Sequence, residues 1–421
     1  MDILQDLEKR GLIQQMTNEK GLKEHLDNNQ VKLYCGFDPT ADSLHIGHLL
    51  PVTILKRFQL AGHKPIALIG GGTGMIGDPS GRSSERSLND AETVKGFADG
   101  LTDQLSSLLN FNDPINGALA RNNHDWLSKM TIIDFLRDAG KHFTVNYMLA
   151  KDAVSSRIAD GISYTEFSYM LLQSVDYLNL YKEEGVSLQI GGSDQWGNIT
   201  AGLEFIRRSL DEEDIKAFGL TVPLITKADG TKFGKTAGGA IWLDPKKTSP
   251  YEFYQFWYNT DDRDVMKFLK FFTFLTYEEL DELEKESETN PGARVAQMKL
   301  AGEITTMVHG EAALNRAIKI SGALFSGDIT QLSVDEIKEG FSDVPTYETS
   351  EKDILLIDLL VNARISQSKR QAREDIENGA IYVNGERNQN LKHMINEQDR
   401  LEDTFTVIRR GRRKYTLIHY K

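Results

Sequence analysis

Two histidines, His45 and His48, sit one helical turn apart where the polar loop PTADSL, residues 39–44, runs into an apolar-periodic stretch that ends at Gly62. Imidazoles at this spacing can bind metal, shuttle protons, hold an anion or cap a helix. No glutamate follows as in H-E-x-x-H and no third ligand lies near in sequence, so the metal reading lacks support. A helix N-terminus offers unpaired N–H groups and a partial positive charge, and imidazoles at its entry add donors aimed the same way. Anion holding and simple capping both stay open. Gly47, between the two, removes a side chain and lets a flat ring or a backbone approach closely.

Three further constellations could carry chemistry. Lys232 and Lys235 lie in a loop flanked by Gly230 and Gly234. It resembles a phosphate cradle, but three residues separate the glycines where that cradle needs four, and "PLITKAD" before it is not a clean buried strand. Gly72-Thr73-Gly74-Met75-Ile76-Gly77 matches the dinucleotide fingerprint, yet Asp78, Pro79, Ser80 and Gly81 follow at once and would break the helix that should receive a pyrophosphate. In "YTEFSYMLLQSVDYLNL", Tyr169, Gln173 and Asp176 are spaced to share one helix face among Phe167, Met170, Leu171, Leu172, Val175 and Leu178. Such a polar stripe reaches solvent or finds partners, because an unpaired buried polar group costs about 1–3 kcal/mol. A ligand is one candidate partner.

The elements that must position these residues are legible as an alternation. "VKLYCGF", "PIALIGG" and "VSLQIGG" are short, apolar, bounded by glycine and followed by helical patterns, which predicts a parallel α/β sheet over about 30–225. Ligands of such sheets sit beyond the carboxyl ends of the strands, where Gly36, Gly70 to Gly74 and Gly191-Gly192 fall. The expected division is a catalytic domain over 1–225, a lysine-bearing loop region over 226–248, a helical domain over 249–329, a linker over 330–351 and a compact unit over 352–421. The linker rests on the acidic, small-residue composition of Ser333 to Glu351. Tyr251, Phe253, Phe256, Trp257, Phe268, Leu269 and Phe272 are read as core.

Net charge is −13, but it is unevenly spread. Residues 352–421 hold 14 Lys+Arg against 10 Asp+Glu, leaving 35 against 52 for the rest, so the last unit carries +4 and the remainder −17. The basic excess is densest over 409–414. Cys35 is the sole cysteine, which excludes an intrachain disulfide and a thiolate zinc cluster. No apolar run reaches the roughly 20 residues that cross a bilayer, and MDILQDLEKRG is not a basic leader with an apolar stretch, so a cytoplasmic protein with no membrane partner is expected.

Jointly, "HIGH" after the first strand and "KFGKT" after the α/β segment resemble the two signatures of class I aminoacyl-tRNA synthetases. "YCGFDPTADSLHIGH", "GGGTGMIGDPSG", "SYTEFSYMLLQSVD" and "QIGGSDQWGNI" are similar to the bacterial-type tyrosyl-tRNA synthetases, and "ARISQSKRQAREDIENGAIYVNGE" resembles their terminal S4 RNA-binding module. Phe233, Gly234 and Thr236 replace Met, Ser and Ser of the commoner K-M-S-K-S, with both lysines kept. The resemblance implies a Rossmann-like catalytic domain, a helical anticodon-side domain and a small α+β S4-like domain.

It also implies an activity: tyrosine is activated by ATP to tyrosyl-adenylate and pyrophosphate, then passed to the terminal adenosine of tRNA(Tyr). By position, Tyr34 and Asp176 hold the substrate phenol, while Asp78, Tyr169 and Gln173 hold its ammonium group. Gly36, Asp38, Gly47, Gly192, Asp194, Gln195 and Lys235 line the ATP site. Thr40, His45, His48, Arg82, Arg86, Lys232 and Lys235 meet the phosphates. Arg364, Lys369, Arg370, Arg373, Arg409, Arg410, Arg412, Arg413 and Lys414 are the expected tRNA contacts. ATP is a substrate, Mg2+ arrives with the pyrophosphate, no metal site is held by protein alone, and a homodimer is implied, its surface placed around Phe135 to Leu149. The competing classes are a nicotinamide dehydrogenase, a P-loop kinase or ATPase, a non-catalytic RNA module and, within the family, a tryptophan enzyme.

Overall fold

The computed structural model describes residues 2–81, 88–159, 161–210, 214–230, 233–236, 239–412 and 414–421. These form two compact units, residues 1–248 with 259–304, and residues 249–258 with 305–421.

The first unit is built on a six-stranded sheet of order β1-β6-β5-β2-β3-β4. Its strands are β1 Gln15–Met16, β2 Lys32–Phe37, β3 Lys64–Ile69, β4 Leu119–Asn122, β5 Val186–Gly192 and β6 Phe218–Val222. The pairs β3·β4, β2·β3, β2·β5 and β5·β6 are parallel, and only β1 runs antiparallel, on β6. Helices follow the strands as the alternation predicts, with Leu49–Leu60 after β2, Ala91–Leu108 after β3 and Trp196–Ser209 after β5. Chain order reverses between β2 and β5, so the crevice beyond their carboxyl ends is the topological switch point where ligands of such sheets bind. Leu33, Ile66, Leu188 and Leu220 are fully buried, one from each central strand, because a sheet covered on both faces excludes water throughout.

The expected helical domain over 249–329 is not one body. Its middle belongs to the first unit: Arg57, buried in the helix Leu49–Leu60, donates to Lys270 O at 3.3 Å and to Thr273 O, while Arg10 donates to Leu275 O at 2.7 Å. Two buried guanidiniums thereby satisfy carbonyls at the end of the helix Asp262–Phe272, whose Phe268, Leu269 and Phe272 are core as expected.

The second unit starts with the helix Pro250–Tyr258, which joins Glu311–Ser326 through Gln255 Nε2 donating to Ser321 Oγ at 2.9 Å. The expected linker over 330–351 is instead structured. Ser333 and Glu336 close a capping box on the helix Val334–Gly340, Ile337 and Phe341 enter the core, and Thr346–Thr349 pairs parallel with Lys414–Tyr420. The acidic composition suggests solvation, but Glu336 and Glu339 pair with Lys319 and Arg316 at 2.7 and 2.6 Å. The unit closes as a five-stranded sheet that packs the helices Leu356–Asn362 and Lys369–Glu377 through Ile381, Val383, Ile408 and Ile418. Among the described residues no helix is long and apolar enough to cross a membrane.

Candidate active site

At the carboxyl end of the sheet a buried polar chain joins residues from four elements. Asp176, 1 % exposed on the helix Tyr164–Glu184, accepts hydrogen bonds from Asn123 Nδ2 at 2.9 Å and Trp126 Nε1 at 2.8 Å. Asn123 Nδ2 also donates to Thr73 Oγ1 at 2.9 Å, Thr73 donates to Asp38 Oδ1 at 2.7 Å, and Tyr169 Oη donates to Asp38 Oδ2 at 2.8 Å. Ser163 caps the helix that carries Tyr169 and Asp176 and Gly185 ends it in the left-handed conformation, so the 21-residue helix fixes both side chains.

The next helical position toward the loops holds Gln173. Asn198 Nδ2 donates to Gln173 Oε1 at 2.9 Å, Gln173 Nε2 to Gln195 Oε1 at 3.3 Å, and Gln195 Nε2 to Asp78 Oδ2 at 2.6 Å. The sequence-predicted residues Asp38, Asp78, Tyr169, Gln173, Asp176 and Gln195 are therefore brought together. Burial raises the Asp176 carboxyl to about 7 against the two donated bonds. Burial likewise lifts Asp194, with the Asp78 charge adding to it.

Tyr34 stands opposite Gln189 in the β2·β5 register. Both are buried, and Tyr34 Oη and Gln189 Oε1 have no hydrogen-bond partner among the described residues. Burial, then the Asp176 charge, hold the Tyr34 phenol well above its ordinary range, so it stays a donor. Two orphaned buried oxygens, that of Tyr34 close enough to Asp176 to feel its charge, ask for a ligand that supplies what the protein does not.

His45 and His48 flank the short helical turn Ile46–His48 and stack at 4.0 Å. Gly47 N–H donates to His45 Nδ1 at 3.0 Å and His45 N–H to His48 Nδ1 at 3.1 Å, forming a capping box. A ring nitrogen that accepts carries no proton, so each imidazole keeps its proton on Nε2. Capping and anion holding, open alternatives at the level of spacing, are thus compatible, because capping uses Nδ1 and anion holding would use Nε2–H. A Cβ on Gly47 would lie 2.7 Å from His45 Cε1, and one on Gly192 would lie 2.5 Å from Asp194 Oδ1. At Gly36 it would meet nothing within 4 Å, so the end of β2 is open to an approaching group. Thr40 is exposed in the same loop. Cys35 is buried, and burial pushes its thiol up to about 12, which leaves it inert as a nucleophile.

The lysine loop docks on the histidine turn. Ile46 N–H donates to Ile241 O at 3.0 Å and Ile241 N–H to Gly234 O at 3.3 Å. Gly234 has φ 87°, and a Cβ there would lie 3.2 Å from Ile46 Cγ1. Phe233, where the commoner signature has Met, lies 5.1 Å from Phe268 and stacks on Phe272 at 5.6 Å. Lys232, Arg82, Arg86 and Arg413 lie outside the described residues, as does the side chain of Lys235.

In the second unit Arg364, Arg373, Arg412 and Lys414 are exposed. Lys369 pairs with Asp358 at 2.6 Å, Arg370 with Glu374 at 3.2 Å, and Arg409 stacks on Tyr382 at 3.9 Å. Arg410 turns inward to Ile365 O at 2.9 Å and to Asp375 at 2.9 Å.

Sequence reasoning does not reach Thr73, Asn123, Trp126, Gln189 or Asn198 as site residues. Gln189 gives a signal, a lone amide in an apolar strand. Asn123 and Trp126 give none, since they follow a four-residue strand, LARN, with no apolar pattern.

A switch-point crevice with paired imidazoles on one lip and a glycine-flanked lysine loop docked beside them is the arrangement of a class I aminoacyl-tRNA synthetase. The chain belongs to that family: residues 26–326 match the tRNA synthetases class I (W and Y), and residues 336–418 match the tyrosine–tRNA ligase SYY-like C-terminal domain. It is 67 % identical to the tyrosine–tRNA ligase of Oceanobacillus iheyensis over 99 % of both chains, and 62 % identical to tyrosine–tRNA ligase 1 of Bacillus subtilis over 100 % of both. Among solved structures, a C-terminally truncated mitochondrial tyrosyl-tRNA synthetase of Aspergillus nidulans matches with TM-score 0.70 and 32 % identity, covering 77 % of this chain and 94 % of that one.

Proposed function

We propose that the chain joins L-tyrosine to tRNA(Tyr) in two steps, through tyrosyl-adenylate. The observation that carries this reading is the Asp176 carboxylate, held by Asn123 and Trp126 and set near the unpartnered Tyr34 hydroxyl. A substrate phenol donates to that carboxylate and accepts from Tyr34, which an indole or a phenyl ring cannot do in the same way. Rejecting phenylalanine then follows from leaving buried polar groups unpaired. Tyrosyl-tRNA synthetase is the well-known case of this effect, and the discrimination of about 10⁵ is the magnitude established for that case. Asp78, Tyr169 and Gln173 form the polar wall that suits the ammonium group.

In the first step a tyrosine carboxylate oxygen attacks the α-phosphorus of ATP and the bond to pyrophosphate breaks. Negative charge grows on the phosphate oxygens, where Nε2–H of His45 and His48, Thr40, the loop lysines Lys232 and Lys235 and the arginines Arg82 and Arg86 donate. Each well-placed donor is worth about 2.7–4 kcal/mol if oxyanion-hole magnitudes carry over. Gly36, Asp38, Gly47, Gly192, Asp194 and Gln195 receive the adenosine. Asp38 and Asp78 are already engaged by Thr73, Tyr169, Gln195 and the Ser80 N–H, so the residues present fit a magnesium ion carried by the phosphates, where it supplies charge neutralisation. In the second step a ribose hydroxyl of the terminal adenosine attacks the activated carbonyl and AMP leaves.

The exposed basic residues of the second unit are the tRNA contacts in this reading. A homodimer is proposed from the apolar side chains of Ile132, Ile133, Leu136 and Val145, which stand 49–78 % exposed in the neighbourhood expected to be the interface. The test of the whole reading is tyrosine-dependent exchange of pyrophosphate into ATP, which a dehydrogenase, a P-loop ATPase and an RNA-binding module all lack.

A further inference from the structure

The loop that leads into the histidine turn is stitched to the segment after the lysine loop. Ile46 N–H donates to Ile241 O at 3.0 Å and Leu243 N–H to Leu44 O at 2.8 Å, which sets His45 and Trp242 opposite each other as an antiparallel bridge pair. Residues opposed in this way send their side chains to the same side. The imidazole and the indole accordingly meet at 6.0 Å between centroids, with planes at 64°.

The indole is itself held. Its residue's N–H donates to Thr248 Oγ1 at 3.0 Å, and the Lys247 ammonium lies 5.1 Å from its ring centroid. Lys247 in turn pairs with Asp42 at 2.6 Å, in the loop that leads to His45. Asp42, Lys247, Trp242 and His45 thereby close a circuit between the two signature segments. His48 also stacks on the His45 ring at 4.0 Å, and the His45 Nδ1 is tied to the Gly47 N–H. These contacts set the orientation of the ring and with it the direction of Nε2–H.

We infer that Trp242 is a positioning residue for His45, walling the imidazole into the orientation from which Nε2–H meets the triphosphate. This rests on the reading of His45 as a phosphate donor. The contacts of Trp242 described above are with His45, Lys247 and Thr248, none of them assigned to the tyrosine pocket, so its loss acts on the step in which charge develops rather than on amino-acid binding. A donor free to rotate loses the preorganisation that makes it effective in a transition state.

The test uses full-length protein with Trp242→Phe, Trp242→Leu, His45→Ala and the double variant Trp242→Leu/His45→Ala. Tyrosine-dependent pyrophosphate exchange and equilibrium tyrosine binding are measured for each. Trp242→Leu is expected to lower kcat about tenfold with tyrosine affinity within about twofold, and Trp242→Phe to recover most of the rate. In the His45→Ala background the same Trp242→Leu change is expected to cost less than about twofold. An equal cost in both backgrounds, or a parallel fall in tyrosine binding and melting temperature, overturns the inference. Should Trp242→Leu fail to fold, Lys247→Met takes its place, and the absence of a His45-dependent rate loss there overturns it equally. Exchange absent from the wild-type protein would instead remove the activation reading on which the inference stands.

Discussion

Asn123 Nδ2 lies 2.9 Å from Asp176 Oδ2 and, with Trp126 Nε1 at 2.8 Å from Oδ1, gives each carboxylate oxygen one donor. These bonds oppose burial, which together with the Asp38 charge drives the acid toward its neutral form. Ionised and half-satisfied, the carboxylate keeps acceptor capacity for a phenol. Asn123→Ala removes one donor and moves the carboxyl further above about 7. A hydrogen bond to a charged group contributes about 1.5–3 kcal/mol, so tyrosine affinity near neutral pH is expected to fall about 10- to 100-fold, and less at pH 9. Equilibrium titration at both pH values checks this, and an unchanged affinity contradicts it.

The same acid gives a stability signature. Its folded value, about 7, lies above the unfolded value of about 3.9, so below about pH 3 it is neutral in both states and costs nothing. As pH rises the unfolded chain ionises first, and the fold loses stability until pH passes about 7, above which the loss is constant. The advantage in stability of Asp176→Asn over the wild type, measured without tyrosine, is expected to grow by about 3 kcal/mol from pH 4.5 to pH 8. A pH-independent difference would show that the acid is not raised.

How far the sequence reveals this site depends on pattern. The strands VKLYCGF, PIALIGG and VSLQIGG are legible because burial on both faces demands apolar runs, and Tyr169, Gln173 and Asp176 because helical spacing sets them on one face. Asn123 and Trp126 are not, since nothing local marks LARN as a strand. The helix Val334–Gly340 is hidden by acidic residues whose partners, Arg316 and Lys319, lie on another helix. Composition reports charge but not pairing. The ion pair of Arg410 is hidden for the same reason, because its partner Asp375 lies 35 residues away.

Gly234→Ala tests the docked lysine loop. With φ 87° and Ile46 Cγ1 3.2 Å from a new Cβ, the docked conformation is expected to lose about 1–2 kcal/mol. Adenylate formation should slow about 5- to 30-fold in single-turnover measurement while tyrosine binding stays unchanged. A loss confined to tyrosine affinity would contradict the placement.

The basic tail divides into two kinds of arginine. Arg412→Ala with Lys414→Ala should weaken tRNA binding across sequences, lower its salt dependence by about one to two phosphate contacts and spare pyrophosphate exchange. Arg410→Ala should instead lower the melting temperature, because it leaves Asp375 without its guanidinium. Point variants suit this question better than a cut at residue 352, which would strip Thr346–Thr349 of its strand partner Lys414–Tyr420.

The most direct measurement is pyrophosphate exchange by the wild type and Asp176→Ala, each with tyrosine and with phenylalanine. Exchange is expected with tyrosine alone in the wild type and is expected to fall by at least about 100-fold in the variant, with the fold retained. Equal tyrosine turnover by the two proteins, or wild-type exchange with phenylalanine at a comparable rate, would contradict a phenol pocket built on Asp176.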